Sequence, residues 1–290
     1  MSRFGHTGEA VERAHREQAA AVGDRALTRA FPRGLRRAAR RAATALAFGV
    51  AGGGVLVLAT VLLPLCRLLP GTAQARDFRG QWCLHRSYAF LLAVMSGLGL
   101  CRFRYEGFER FRKPGPHLVV ANHPSLIDFG IVISKLAQAD CLVAETWARS
   151  FWFGRVARAA GYIVNSEGLA VVEECVARLR RGRTVLMFPE GTRSPPRGLW
   201  PFRRGAAHVA LRSGVDLELV TIRCDPPALM KGQPWWDVPD RRIEYVVRAE
   251  EPVGARDRAW EGESDVLAAR RLTAVLRSRT IERLSRDPSQ

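Results

Sequence analysis

Residues 121–129 read ANHPSLIDF and set His123 and Asp128 five positions apart around a proline. A histidine steered by a carboxylate can draw the proton from a hydroxyl, which is general-base chemistry. In an unbroken helix, positions i and i+5 point to different faces, so the pair can cooperate only if the helix is interrupted between them. Pro124 disfavours helical geometry at His123. Ser125 followed by Asp128 has the form of a capping box, which predicts Ser125 as N-cap and Asp128 at the third helical position. His123 then folds back over the first turn, with one ring nitrogen on Asp128 and the other free as a base. This is the orienting logic of a Ser-His-Asp triad without a protein hydroxyl, and it assigns the hydroxyl to the substrate. Taken alone, the stretch is met equally well by an aspartate that caps its own helix beside a loop histidine.

A second constellation, FPEGTRS at 188–194, follows the apolar run TVLMF. A plain polar turn would satisfy the same letters. Read as chemistry, Gly191 lets the backbone approach a ligand closely, and Arg193 offers a planar fork for phosphate, flanked by Glu190 and Thr192. Arg203 and Arg204 precede Gly205 at the start of the next predicted helix, where free amides also favour anions.

Other chemistries lack their motifs. The six cysteines are scattered without C-x-x-C or zinc spacing, which predicts free, buried thiols and no metal site. No H-E-x-x-H, G-x-S-x-G, Walker A loop or dinucleotide-type glycine fingerprint is present, so no bound cofactor is expected.

The elements that must position these residues alternate. Strand-like runs at 117–122, 141–144, 162–165, 184–188, 217–224 and 241–253 take turns with helical patterns at 125–137, 150–160, 170–181, 205–214 and from 264 to about 284. This predicts an α/β domain with a mostly parallel or mixed sheet flanked by helices, and a ligand site at the carboxyl ends of the strands. His123 and the 188–193 stretch both fall at such ends.

Upstream, residues 42–66 carry no charge and are long enough at 1.5 Å per residue to cross a hydrocarbon core of about 30 Å, so they are predicted to be a transmembrane helix. Residues 82–101 form a second apolar stretch, either a short span or a re-entrant segment. A cleaved signal peptide ending at Ala75 is the competing reading, disfavoured by its long basic leader. The organisation expected is a basic cytoplasmic arm (1–41), the span (42–66), the second segment (82–101), a catalytic domain (105–254), and a C-terminal helix and tail (255–290). Arginines crowd the approach to the first span, which by the positive-inside rule places the N-terminus, and with a returning second segment the domain too, on the cytoplasmic side of the inner membrane.

With 45 Lys and Arg against 28 Asp and Glu, the formal net charge is +17 and the sequence pI near 11.0. Lysine occurs only at 113, 135 and 231, so the basicity is almost wholly arginine. Such charge calls for an anionic partner, here the membrane surface or a phosphate-bearing substrate. A non-enzymatic basic module remains as another class, but no RNP, helix-turn-helix or zinc-finger signature supports nucleic acid.

The pairing of H-x-x-x-x-D at His123 and Asp128 with FPEGTRS resembles the PlsC-like glycerolipid (lysophosphatidic acid) acyltransferase family, over about residues 105–225. The resemblance implies transfer of a fatty acyl group from acyl-CoA or acyl-carrier protein to a lysophospholipid hydroxyl. His123 and Asp128 would be the catalytic pair, and Glu190, Gly191 and Arg193 would position the acceptor. Two positions depart from the family pattern: Ser166 stands where an arginine usually helps to hold the acceptor phosphate, and Leu219 stands where a proline precedes the valine. The first points to another lipid hydroxyl acceptor, such as an aryl-polyene pigment or aminolipid, as the alternative.

Overall fold

The computed structural model describes residues 33–113, 115–165, 168–255 and 264–286. Most of the predicted basic arm, and Ser166, lie outside these.

A helical hairpin comes first. Helix α1 (Arg33–Val57) runs through a π-helical turn (Leu58–Leu62) into α2 (Leu63–Leu68), and after a bend α3 (Ala73–Gly97) returns. Thr72 caps α3 by accepting from the Ala75 amide at 3.1 Å. Cys66 and Cys83 approach to 3.6 Å between their sulfurs near the bend, while Ala47 and Ala51 face Leu91 and Met95 across an apolar cleft, so the two arms are antiparallel. All six cysteines are free.

Seven strands follow: β1 (Cys101–Glu106), β2 (His117–Ala121), β3 (Asp140–Ala144), β4 (Ile163–Asn165), β5 (Thr184–Met187), β6 (Leu217–Asp225) and β7 (Ile243–Ala249). They lie in the order β1-β7-β6-β2-β5-β3-β4. Every neighbouring pair is parallel except β6 and β7. The mixed α/β sheet expected from the alternation is thus observed, with β1 as an added edge strand. The intervening helices are α4 (Asp128–Ile133), α5 (Glu145–Ala148), α6 (Phe151–Ala159), α7 (Leu169–Arg180), α8 (Gly205–Ser213) and α9 (Asp265–Ser285).

Both faces of the sheet are covered, which is why its central strands read as continuous apolar runs. In β2, Val119 and Ala121 pack toward the hairpin, and Leu118 and Val120 pack toward α7, α8 and α9. In β6, Leu217 and Leu219 join the second layer while Val220 and Ile222 join the first. This period-two division fixes the register, since a slip of one residue would exchange the two cores.

Among the described residues one helix, Gly34–Leu68, is long and apolar enough to cross a membrane. Its outward side is exposed at Leu46, Leu56, Val61 and Leu65. The α/β domain holds it near both ends. Arg37 makes a two-pronged ion pair with Asp240 at 2.7 and 2.8 Å, and Arg40 donates to the carbonyls of Pro239 and Arg241; at the far end Arg67 reaches the Arg158 carbonyl at 3.3 Å. The 82–101 stretch lies mostly in α3, which is docked on the domain. Gln81 donates to Asp140 and to the Ala160 carbonyl, and a His85 ring nitrogen lies 2.8 Å from the Ile133 carbonyl. Gly80 brings backbone against backbone: a Cβ there would lie 2.4 Å from the Ala159 carbonyl oxygen.

Candidate active site

The site forms where β2 and β5 end side by side. The β-branched run of β2 stops at Ala121, and Asn122 extends the pairing with its side chain. Its amide donates to the Ile222 carbonyl at 2.9 Å and accepts from the Ile222 amide at 2.7 Å. This anchors the chain immediately before His123.

His123 is held by its backbone and its ring separately. Its amide donates to Glu190 Oε1 at 3.1 Å, and its carbonyl accepts from the Ser194 amide at 2.7 Å. Its ring nitrogen Nδ1 lies 2.8 Å from Asp128 Oδ2. The ring also stacks on Phe188, with centroids 4.5 Å apart at 33°. A carboxylate accepts only, so Nδ1 carries the proton and Nε2 carries a lone pair. No described residue hydrogen-bonds Nε2, and the side chain keeps 20% of its surface exposed.

The means of bringing the pair together differs from the predicted capping box. Helix α4 begins at Asp128 itself, not after Ser125, and is only six residues long. Residues 124–127 form a non-helical turn, and the aspartate reaches back across it. Asp128 Oδ2 accepts from the Ser125 amide at 2.5 Å, and Oδ1 from the Ser125 hydroxyl at 2.6 Å. Ser125 Oγ in turn accepts from Tyr245 OH at 3.2 Å. Serine is therefore a clamp on the aspartate rather than a cap on the amides. Burial pushes the Asp128 carboxyl up from the ordinary aspartate range, against the pull of His123 and both Ser125 donors. Burial likewise drives the Tyr245 hydroxyl well above its usual value, so it stays a neutral donor.

The 188–204 residues divide into two groups. Glu190 is buried and both its oxygens are engaged internally: Oε1 takes the His123 amide and the Ser194 hydroxyl, and Oε2 takes the Trp200 amide at 3.0 Å. It braces the two motifs together. Arg193 sends Nη1 to the carbonyls of Leu229 and Met230, at 3.1 and 3.0 Å, tying down the loop after β6. Leu229 adopts a left-handed conformation (φ 56°), at a cost of about 1–2 kcal/mol, and its carbonyl also accepts from the Leu126 amide.

Arg203 and Arg204 are exposed and have no acid partner among the described residues. Gly191 has φ 68°, and a Cβ there would lie 2.7 Å from Arg203 Nε, so the missing side chain is what admits the Arg203 guanidinium. Thr192 is half-buried, and the amides of Thr192 and Arg193 have no partner among the described residues. The Ser125 and Gly191 amides, by contrast, are already engaged, by Asp128 and by the Phe188 carbonyl.

Sequence reasoning passed over Asn122, Phe188, Leu229 and Tyr245. Asn122 had a local signal, a polar amide closing a strand, and Phe188 adjoined the motif. Tyr245 lies 120 positions from the serine it supports and had none.

No group of three or more His, Cys, Asp or Glu side chains suited to a metal occurs among the described residues. His123, oriented by Asp128 at the strand ends, stands beside a glycine-centred turn with exposed arginines. Residues 102–225 match the family model described as Acyltransferase. The chain is 26% identical over 174 residues to the mouse (Mus musculus) 1-acyl-sn-glycerol-3-phosphate acyltransferase alpha, covering 57% of each chain. It is 29% identical over 111 residues to the Escherichia coli (strain K12) 1-acyl-sn-glycerol-3-phosphate acyltransferase, covering 36% of this chain and 45% of that one. Its fold matches the crystal structure of the 1-acyl-sn-glycerophosphate acyltransferase PlsC from Thermotoga maritima with a TM-score of 0.60 at 21% identity, covering 88% of this chain and 99% of that one. The chain thus resembles the 1-acyl-sn-glycerol-3-phosphate acyltransferases, with an acyltransferase match over residues 102–225 and the fold of PlsC. It spans 57% of the length of the mouse relative.

Proposed function

We propose that this protein is a membrane-bound O-acyltransferase that moves a fatty acyl group from a thioester, of coenzyme A or acyl-carrier protein, to the free hydroxyl of a lysophospholipid. The observation that carries the reading is the His123 ring, fixed through Nδ1 on a buried carboxylate and open at Nε2. Nε2 takes the acceptor's hydroxyl proton as its oxygen attacks the thioester carbonyl, and Asp128 stabilises the imidazolium that forms. The tetrahedral intermediate then expels the thiolate, which recovers the proton. No acyl-enzyme and no cofactor is required. For the oxyanion, the unengaged amides of Thr192 and Arg193 are the available donors in the turn.

The acceptor's anionic headgroup falls to the cations of this turn. Arg203 and Arg204 carry free guanidinium groups, whereas Arg193 already commits Nη1 to two carbonyls. The names of the relatives support a lysophosphatidate acceptor. Ser166, in place of the family's usual arginine, favours a second reading, the same transfer to another lipid alcohol.

Membrane attachment is assigned to the outward side of α1, with the domain held against it from Arg40 to Arg67. The arginine-rich start of α1 supports a cytoplasmic placement of the N-terminus, on the inner membrane. The test is direct. Purified protein is offered labelled acyl-CoA and acyl-carrier protein with lysophospholipids and pigment alcohols, and products are identified by mass. Transfer to none of them would defeat the reading.

A further inference from the structure

The bend of the helical hairpin, between α2 and α3, holds a cluster of arginines that the chemistry at His123 does not use. Arg79 locks the bend by donating to the carbonyls of Pro70 and Leu69 at 3.0 and 2.9 Å. Beside it lies a cleft of about 360 Å³, lined by Arg67, Arg76, Asp77, Ala73 and Ala159. Arg67 makes one long bond, to the Arg158 carbonyl, and Arg76 has no acid partner among the described residues.

Asp77 does not neutralise these two. It lines the same cleft, but its ion pairs run to Arg183 at 3.5 Å and Arg178 at 3.8 Å, and Gly161 packs against its carboxyl carbon. The cleft is thus net cationic, with room for a phosphate group. The helices that carry these arginines, and the bend between them, also expose large apolar side chains. Leu68 is 81% exposed, Leu65 54%, Leu69 51% and Trp82 55%. Apolar side chains so fully turned outward around paired cations fit one surface, in which phosphate lies immediately above hydrocarbon.

We propose that Arg67 and Arg76 form a binding site for the phosphodiester of an anionic phospholipid, whose acyl chains lie along Leu65, Leu68 and Leu69. The ligand chemistry is an oxyanion held by two guanidinium groups, and the exposed apolar side chains assign it to a lipid rather than to free phosphate. Apolar residues 42–66 are bracketed by arginines at 33–41 on one side and at 67, 76 and 79 on the other, so both ends of the lipid-contacting helix sit at headgroup level. The site lies apart from the acceptor, beside the amino-terminal starts of β3 and β5, where Asp140 and Arg183 receive the same network, whereas His123 stands at the carboxyl ends. It rests on the reading of the chain as membrane-bound and is independent of what is acylated.

The test uses full-length protein and vesicles of phosphatidylcholine, alone or mixed with phosphatidylglycerol, comparing wild type with R67Q/R76Q. The anionic lipid should tighten wild-type binding, and the double variant should lose about tenfold to thirtyfold on the anionic vesicles while binding phosphatidylcholine as before. L68S should weaken binding to both compositions. An unchanged preference for anionic vesicles in R67Q/R76Q overturns the site. Equal loss on both compositions also overturns it, because the arginines would then be supporting the hairpin and not reading the headgroup. Inorganic phosphate added at constant ionic strength should leave vesicle binding intact; displacement of the protein by it would reassign the cleft to free phosphate. Failure of all forms, wild type included, to bind any vesicle would instead sink the membrane-bound reading.

Discussion

The backbone amide of His123 donates to the side chain of Glu190, 67 residues further along the chain, at 3.1 Å. With the Ser194 amide on the His123 carbonyl at 2.7 Å, this makes the end of β2 and the turn after β5 one piece. The carboxylate of the EGTR stretch therefore fixes the backbone from which the His123 ring projects. Glu190→Gln substitutes a donor where three donors already converge, so unfolding free energy in urea should fall by about 2 kcal/mol. Turnover should drop with it while the acceptor KM stays near wild type. A raised KM without loss of stability would show that Glu190 contacts substrate instead.

His123→Ala should lower kcat by about a hundredfold to ten-thousandfold, the usual worth of a positioned base, with a modest fall in melting temperature because the buried Asp128 loses one donor. The loss of activity should far exceed what that loss of stability explains, because Asp128 keeps both Ser125 donors. Retained turnover in purified protein would remove it from the mechanism.

Ser125→Ala takes one acceptor contact from the buried Asp128 and leaves the Tyr245 hydroxyl without its partner. A cost of about 1–3 kcal/mol follows from the stranded groups, together with a fall in kcat. Tyr245→Phe should cost less, about 1 kcal/mol, because it removes a donor outright. Reversal of that order would mean that the tyrosine, not the serine, sets the aspartate.

Arg193 and Arg203 should separate in kinetics. Arg203→Gln removes an exposed, unpaired cation, so it should raise KM for a phosphorylated acceptor about tenfold with little effect on thermal stability. Arg193→Gln frees the Leu229 and Met230 carbonyls and should lower stability as well. A panel of phosphorylated and neutral acceptors measured beside melting curves distinguishes the two. Equal behaviour of the variants would contradict the division of roles.

Stability should also carry a pH signature at the opposite end of β2. The hydrogen bond from His117 to Glu218, at 3.3 Å, raises the histidine pKa above its ordinary value. A raised folded value means that the contribution is complete below the unfolded pKa of about 6.5 and is lost as pH climbs through the folded value. Urea unfolding of wild type and His117→Gln should therefore differ most near pH 5.5 and converge near pH 8.5. A difference that does not vary with pH would make the contact purely steric.

How much of this could be read from the letters depended on whether the cause was local. β2 and β5 were legible because both faces are covered and their residues are uniformly apolar. β1, CRFRYE, was not: it is an edge strand with alternating burial and charged residues, and its place is set by β7, more than 130 residues away. The His123 and Asp128 pairing was legible from the proline between them, but the route was misjudged. A helix as short as α4 contributes little of its own, so the turn from Pro124 to Ile127 is shaped by Leu229 and Tyr245, from distant loops and strands. Arg193 showed the limit of reading a motif by charge alone, since one nitrogen of its fork is taken by carbonyls that no spacing announces.

α4 carries Asp128 at one end and Gly130 in its first turn, and a Cβ at Gly130 would lie 2.2 Å from a ring carbon of Tyr88 in α3. The helical hairpin and the aspartate that holds His123 thus share a wall with no slack. With the proposed attachment of the hairpin to a bilayer, the domain would not tumble relative to that surface. The proposed reaction would then belong to two dimensions: the rate should follow the mole fraction of acceptor within the leaflet and be indifferent to the volume of water around it.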